Sequence, residues 1–260
     1  DDIEVYNSEK TDTIAKFLTL RQQLKKKEGE PNIALSDFIA PKDSGIDDYI
    51  GCFCVSTGFG SDELSKEYED KIDDYSSIMV KALADRFAEA YAEYLHKHVR
   101  LEKWGYSSNE KLDNKELIQE SYKGIRPAPG YPACPDHLEK STIWNLLKVE
   151  ESIGVKLTES LAMWPASSVS GYYFGSEKAK YFGLGNINQD QLEDYSIRRN
   201  ISIEKAKKNS IDNQVMTPIE KNNQVNILTQ KGVLKKEETQ VNQLNEFISN
   251  QRMIQSRRES

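Results

Sequence analysis

An arginine and a tyrosine, Arg126 and Tyr131, stand in a stretch rich in proline and glycine: Gly124-Ile125-Arg126-Pro127-Ala128-Pro129-Gly130-Tyr131-Pro132-Ala133-Cys134-Pro135. Proline removes a backbone donor, fixes φ and pushes the residue before it toward extended geometry. The segment is therefore neither a helix interior nor a central strand. It reads as a stiff, largely extended loop whose carbonyls are left to accept hydrogen bonds. A guanidinium and a phenol held at fixed spacing on such a backbone suit a small polar ligand carrying a carboxylate. The same composition also suits a plain proline-rich connector, and the loop alone does not choose between the two.

Other chemistry is weakly supported. Cys134 and His137 have Cys-x-x-His spacing, but a second ligand pair is missing, so no metal site is expected. A thiol nucleophile at Cys134 lacks a cationic neighbour other than His137 to lower its pKa. There is no Walker loop and no Gly-x-Gly-x-x-Gly between a strand and a helix. Asp85, Glu89 and Glu93 recur at every fourth position of a helical segment. Such a row is either a solvated stripe or an acidic docking surface, since like charges in line cost stability unless something answers them.

Composition narrows the class. The 260 residues suffice for one large domain or two small ones with a real core. A net charge of −7 argues against non-specific nucleic-acid binding. No apolar run approaches the ~18 residues that cross a bilayer. The sequence opens Asp1-Asp2-Ile3-Glu4, without a signal-peptide core, and reads as the middle of a longer polypeptide. Three sparse cysteines, Cys52, Cys54 and Cys134, suggest reduced thiols and a cytoplasmic setting.

The elements that must position these residues follow from periodicity. Residues 11–27 read as a helix, with Ile14, Phe17, Leu18, Arg21 and Leu24 near period 3.6. Stretches 33–40 and 49–55 read as strands that pair with each other. A long helix is expected over 61–99, capped by Ser61 and burying Ile72, Tyr75, Met79, Leu83, Phe87 (or Ala90) and Tyr94. Asp136, with Glu139 as its capping-box partner, starts a helix running to Gly154. Strands are expected over 167–174 and 180–184. A helix capped by Asn188 with Gln191 runs to Arg199, and Ser202 begins another. Strands grouped apart from helices predict an α+β fold: an antiparallel sheet flanked by helices. Residues 209–260, rich in Asn, Gln and Lys, read as a disordered tail with a weak amphipathic helix over 241–254.

Several blocks together resemble the activation domain of cobalamin-dependent methionine synthase. They are the loop extended to Tyr122-Lys123 and Asp136-His137, then Lys156-Leu157-Thr158-Glu159-Ser160-Leu161-Ala162-Met163-Trp164-Pro165, and Ser168-Val169-Ser170-Gly171-Tyr172-Tyr173-Phe174. Asp48-Tyr49-Ile50-Gly51 and Met79-Val80-Lys81-Ala82-Leu83-Ala84-Asp85-Arg86 also match, in the same order. The resemblance covers residues 1–205 and implies a domain over 1–208.

The resemblance implies binding of S-adenosylmethionine. Arg126 would pair with the methionyl carboxylate, the Ala128 carbonyl would accept from the amino group, and Tyr131 would add a phenolic contact. Tyr181-Phe182 match a Tyr-Tyr pair of the family that contacts the ligand, Phe182 replacing the second tyrosine. The implied chemistry is reductive remethylation of cobalamin held by a neighbouring domain of this methyltransferase of methionine biosynthesis, with an electron from flavodoxin or a flavoprotein reductase. No residue here need be catalytic, and Asp85 and Glu89 would face the cobalamin-binding domain. The resemblance also implies that the family's domain begins before Asp1, with helices and an acidic ligand-binding residue there. The fragment alone is not expected to complete the methionine synthase cycle. Two alternatives stay open: a non-catalytic S-adenosylmethionine- or partner-binding module, and an inactive truncated fragment.

Overall fold

The structure, a computed structural model, describes residues 2–210. The tail beyond them, with its expected helix over 241–254, lies outside the described residues. In chain order the elements are β1 (Asp2–Tyr6), β2 (Thr13–Leu18), a 3-10 turn (Leu35–Phe38), a second one (Lys42–Ser44) and β3 (Gly51–Ser56). There follow α1 (Ser61–Glu69), α2 (Asp74–His98) running into a π-helical turn (Val99–Lys103), and α3 (Asn114–Ile118). Then come α4 (Glu139–Leu147), α5 (Val149–Ile153), β4 (Lys156–Leu157), β5 (Met163–Trp164), β6 (Ser168–Tyr173), α6 (Gln189–Arg199) and α7 (Ile203–Ser210). Three antiparallel pairs form, β1 with β2, β3 with β6 and β4 with β5. The expected α+β class with antiparallel pairing is what the chain adopts.

Alternation along β6 builds two cores, because successive side chains leave a strand on opposite faces. Tyr172, with Phe174 just beyond the strand, faces Phe17, Ile143 and Trp144. Tyr173 faces the other way, toward Phe53, Val55 and Ala92 of α2. The β3–β6 pair is thus covered by α4 and the β1–β2 hairpin on one side and by α2 on the other. A third cluster, with Leu18, Leu184, Leu192, Tyr195 and Ala206, seats α6 and α7 against the end of β2.

Several sequence expectations change. The helix over 11–27 is instead β2 and the chain after it: Ile3 lies opposite Phe17, and both are buried. The helical spacing of its apolar residues is real, but pairing with β1 overrides it. Stretch 33–40 holds the 3-10 turn Leu35–Phe38 and no strand, and β3 pairs with β6 rather than with that stretch. The helix over 61–99 is broken between α1 and α2, where Ile72 takes φ 59°. Gly60, not Ser61, occupies the cap of α1. Lys148, at φ 48°, likewise divides α4 from α5. Glu139 makes no capping box, because its carboxylate takes the Leu18 N–H at 3.0 Å and pairs with Arg199. Residues 180–184 form no strand. Asn188 makes no side-chain cap, and Gln191 instead bridges the backbone of Arg21.

The largest reversal is on α2. Its buried residues are Ser77, Ala84, Ala88, Ala92 and His96, whereas Ile72 before it and Tyr75, Met79, Leu83, Phe87 and Tyr94 on it are exposed. Alanines let the helix axis approach the β3–β6 pair closely, so the small stripe faces the sheet and the bulky one faces out. Among the described residues no helix is long and apolar enough to cross a membrane.

Candidate functional site

The proline loop is fastened to the free edge of β6. Ile125 and Phe174 exchange both backbone bonds at 3.0 Å, and the Tyr172 N–H donates to the Pro127 carbonyl at 2.9 Å. Proline suits this edge position because it is asked only to accept. The approach is so close that a Cβ on Gly171 would stand 2.5 Å from the Pro127 oxygen. Past Ala128 the loop folds on itself: Tyr131 N–H to Ala128 O at 3.2 Å, Cys134 N–H to Tyr131 O at 2.9 Å, and Gly130 N–H to Cys134 O at 2.7 Å. Gly130 sits at φ 95°, with the His137 ring 2.3 Å from where its Cβ would be. The loop is a built feature, not a slack connector.

Arg126 is the charge this scaffold presents. Its side chain is only 19% exposed, and Nη2 lies 3.2 Å from Oε2 of Glu93 on α2. Its backbone N–H donates to the Tyr181 hydroxyl at 3.0 Å. Nε is buried with no partner among the described residues. Burial opposes the charge, but Glu93, with Tyr181 and Tyr122 behind it, more than offsets this and raises the guanidinium pKa. Burial also raises the Tyr181 phenol above its ordinary range. Glu120, within reach of the Arg126 field, has its pKa raised chiefly by desolvation.

A second guanidinium stands behind the first. Arg100, wholly buried, is bidentate to Glu110, with Nε and Nη2 each 2.8 Å from a carboxylate oxygen. Its Cζ lies 4.0 Å over the Tyr122 ring. The Tyr122 hydroxyl donates to Oε2 of Glu93 at 3.4 Å. His96 stacks on Tyr173 with ring centroids 5.1 Å apart, and burial, with Arg100 and Arg126 nearby, lowers its pKa to about 2.

The sequence-predicted residues are therefore only partly gathered. Arg126 and Tyr181 touch. Ala128 presents a carbonyl that already accepts one N–H and has a second lone pair to offer. Tyr131 is half exposed on the outer turn of the loop. The Phe182 ring points into the core, 6.2 Å from that of Phe38, so this position offers a ligand its backbone rather than a side-chain hydroxyl. The acidic row of α2 divides by role: Asp85 accepts from the Ser167 hydroxyl at 2.5 Å, Glu89 is exposed, and Glu93 belongs to the arginine site. Sequence reasoning saw Glu93 only as part of that row, met Tyr122 only as the start of a family-like block without a role, and missed Arg100 and Glu110. Spacing on one helix cannot reveal a partner 33 positions away.

None of the cysteine thiols is activated. Burial pushes the Cys52 and Cys54 thiols up to about 12 and raises that of Cys134 as well, leaving all three protonated at neutral pH. Among the described residues no group of three or more His, Cys, Asp or Glu side chains is placed to hold a metal ion.

A loop fastened to a sheet edge, an arginine held from a helix and a tyrosine at the arginine's main chain make up the candidate site. The family model for the activation domain of vitamin B12-dependent methionine synthase matches residues 1–200. A solved structure, the crystal structure of the MetH reactivation domain bound to AdoHcy, superposes with a TM-score of 0.78 at 55% sequence identity. The match covers 80% of this chain, which spans 64% of that one. The loop, its sheet edge and α2 all fall within the matched residues, and the chain belongs to the family of vitamin B12-dependent methionine synthase activation domains.

Proposed function

We propose that this chain binds S-adenosylmethionine, or its demethylated product, at the proline loop and supports remethylation of cobalamin carried by a neighbouring domain of methionine synthase. The observation that carries the reading is Arg126: a largely buried guanidinium, fixed from α2 and left with an unpaired Nε. Such a group, with Nη2 held by Glu93 and hydrogen-bonding capacity left over, fits a ligand carboxylate. It stands in a chain 55% identical to a domain solved with AdoHcy, whose amino-acid moiety carries that carboxylate.

Each residue has a task in this reading. Arg126 takes the carboxylate, the second lone pair of the Ala128 carbonyl takes the ammonium, and Tyr131 adds a phenolic contact. Tyr181 holds the Arg126 backbone beside the ligand, and Phe182 contributes main chain. When bound, S-adenosylmethionine supplies the methyl group, and a sulfonium is already a good leaving group. The chain's work is then orientation and exclusion of water rather than acid–base catalysis. Asp85 and Glu89 would meet the cobalamin-binding domain, and flavodoxin or a flavoprotein reductase would supply the electron, in the cytoplasm. The test is reconstitution with a cobalamin domain and reductant. Methylcobalamin absorbance that grows only with added S-adenosylmethionine supports the reading, and growth without it rejects it.

A further inference from the structure

We propose that Glu93 is the positioning residue of the site: it neutralises and orients Arg126 so that the guanidinium meets the ligand carboxylate already aligned. The inference rests on the reading above and adds a residue to it. Four charges are gathered here, Arg100, Arg126, Glu93 and Glu110. Glu110 satisfies Arg100 side-on, leaving Oε1 of Glu93 3.8 Å from the remaining Nη1 of Arg100. Glu93 is thus the counter-ion of Arg126, and a largely buried guanidinium without one would be costly to keep in place.

The geometry assigns an orientation as well as a charge. Glu93 contacts Nη2 of Arg126, while Nε stays buried and unpartnered. Tyr122 donates to the same Oε2 of Glu93, which fixes that carboxylate in turn. Glu93 projects from a helix of 25 residues, so the anchor is rigid while the loop carries the ligand groups. A guanidinium held in this way loses little freedom when the ligand binds.

The test compares two ligands by calorimetry on the full chain. One is AdoHcy, which has the carboxylate; the other is 5′-methylthioadenosine, which keeps the adenosine and sulfur but lacks the amino-acid moiety. Glu93→Gln, which keeps size and removes charge, is expected to weaken AdoHcy about tenfold and leave methylthioadenosine within about twofold. In an Arg126→Ala background the same change is expected to have no further effect on AdoHcy, because Glu93 acts only through Arg126. Tyr122→Phe should give a smaller loss with the same selectivity, and serves where Glu93→Gln folds poorly. Equal losses for both ligands, no change, or tighter AdoHcy binding would each overturn the proposal. Wild-type chain that binds no AdoHcy instead overturns the underlying functional reading.

Discussion

The Tyr181 hydroxyl accepts the backbone N–H of Arg126 at 3.0 Å, so the residue proposed to receive the ligand carboxylate is held at its main chain by one segment and at its side chain by another. The segment after β6 supplies the first hold and α2 supplies the second. This places the guanidinium by tertiary contacts rather than by the loop's stiffness alone.

Tyr181→Phe removes that acceptor and leaves the Arg126 N–H to find another. A loss of about 1 kcal/mol in folding stability is expected, with a weakening of AdoHcy binding of a few fold. Urea denaturation and calorimetry of the same preparation check both.

Gly171→Ala sets a methyl 2.5 Å from the Pro127 carbonyl and lifts the loop from β6. Overpacking of this kind costs about 1–3 kcal/mol. AdoHcy affinity is expected to fall with the stability, because the Tyr172 to Pro127 bond anchors the loop one residue from Arg126.

The two faces of α2 should respond in opposite ways. Phe87→Ser, on the exposed face, is expected to change stability by no more than about 0.5 kcal/mol. Ala88→Leu, on the face against the β3–β6 pair, should cost about 1–3 kcal/mol. Thermal melts of the two variants side by side decide the assignment. The reverse order would restore the expectation drawn from hydropathy.

That reversal shows where sequence reading stops. Helix α2 carries two stripes at nearly the same period, one of alanines and one of large apolar residues, and burial of the larger one looks more favourable on the helix alone. Which stripe meets the sheet depends on how close the backbones come, and this is set by β3 and β6, far away in sequence. The same reason hid β2, whose partner strand rather than its own spacing decides its form. Strand β6, the stiff loop and α6 were legible because proline, alternation and local periodicity determine them without distant help. At the site, Arg126 was legible from its proline neighbours and Tyr181 from a family motif. Glu93, Tyr122 and Arg100 were not, because charge pairing across 33 positions leaves no local signature.

The buried His96 sets a pH dependence. Its pKa falls from 6.5 to about 2 on folding, chiefly through desolvation, with Arg100 and Arg126 adding repulsion. Between those values the unfolded chain binds the extra proton, so stability rises with pH through the window and is lost on acidification below about 6.5. Moving from pH 7.5 to 5.5 is expected to remove about 1.4 kcal/mol through this residue. His96→Phe should lose correspondingly less over the same interval in urea denaturation. An identical pH profile for the two proteins would contradict the assignment.

The central claim is that Arg126 receives the carboxylate of an adenosyl amino acid. It is tested most directly by titrating AdoHcy into wild-type chain and Arg126→Ala in a calorimeter. The account predicts saturable binding by the wild type and a loss of more than about 1 kcal/mol in the variant, as removal of a charge-assisted pair requires. Equal affinity in the two proteins would contradict it.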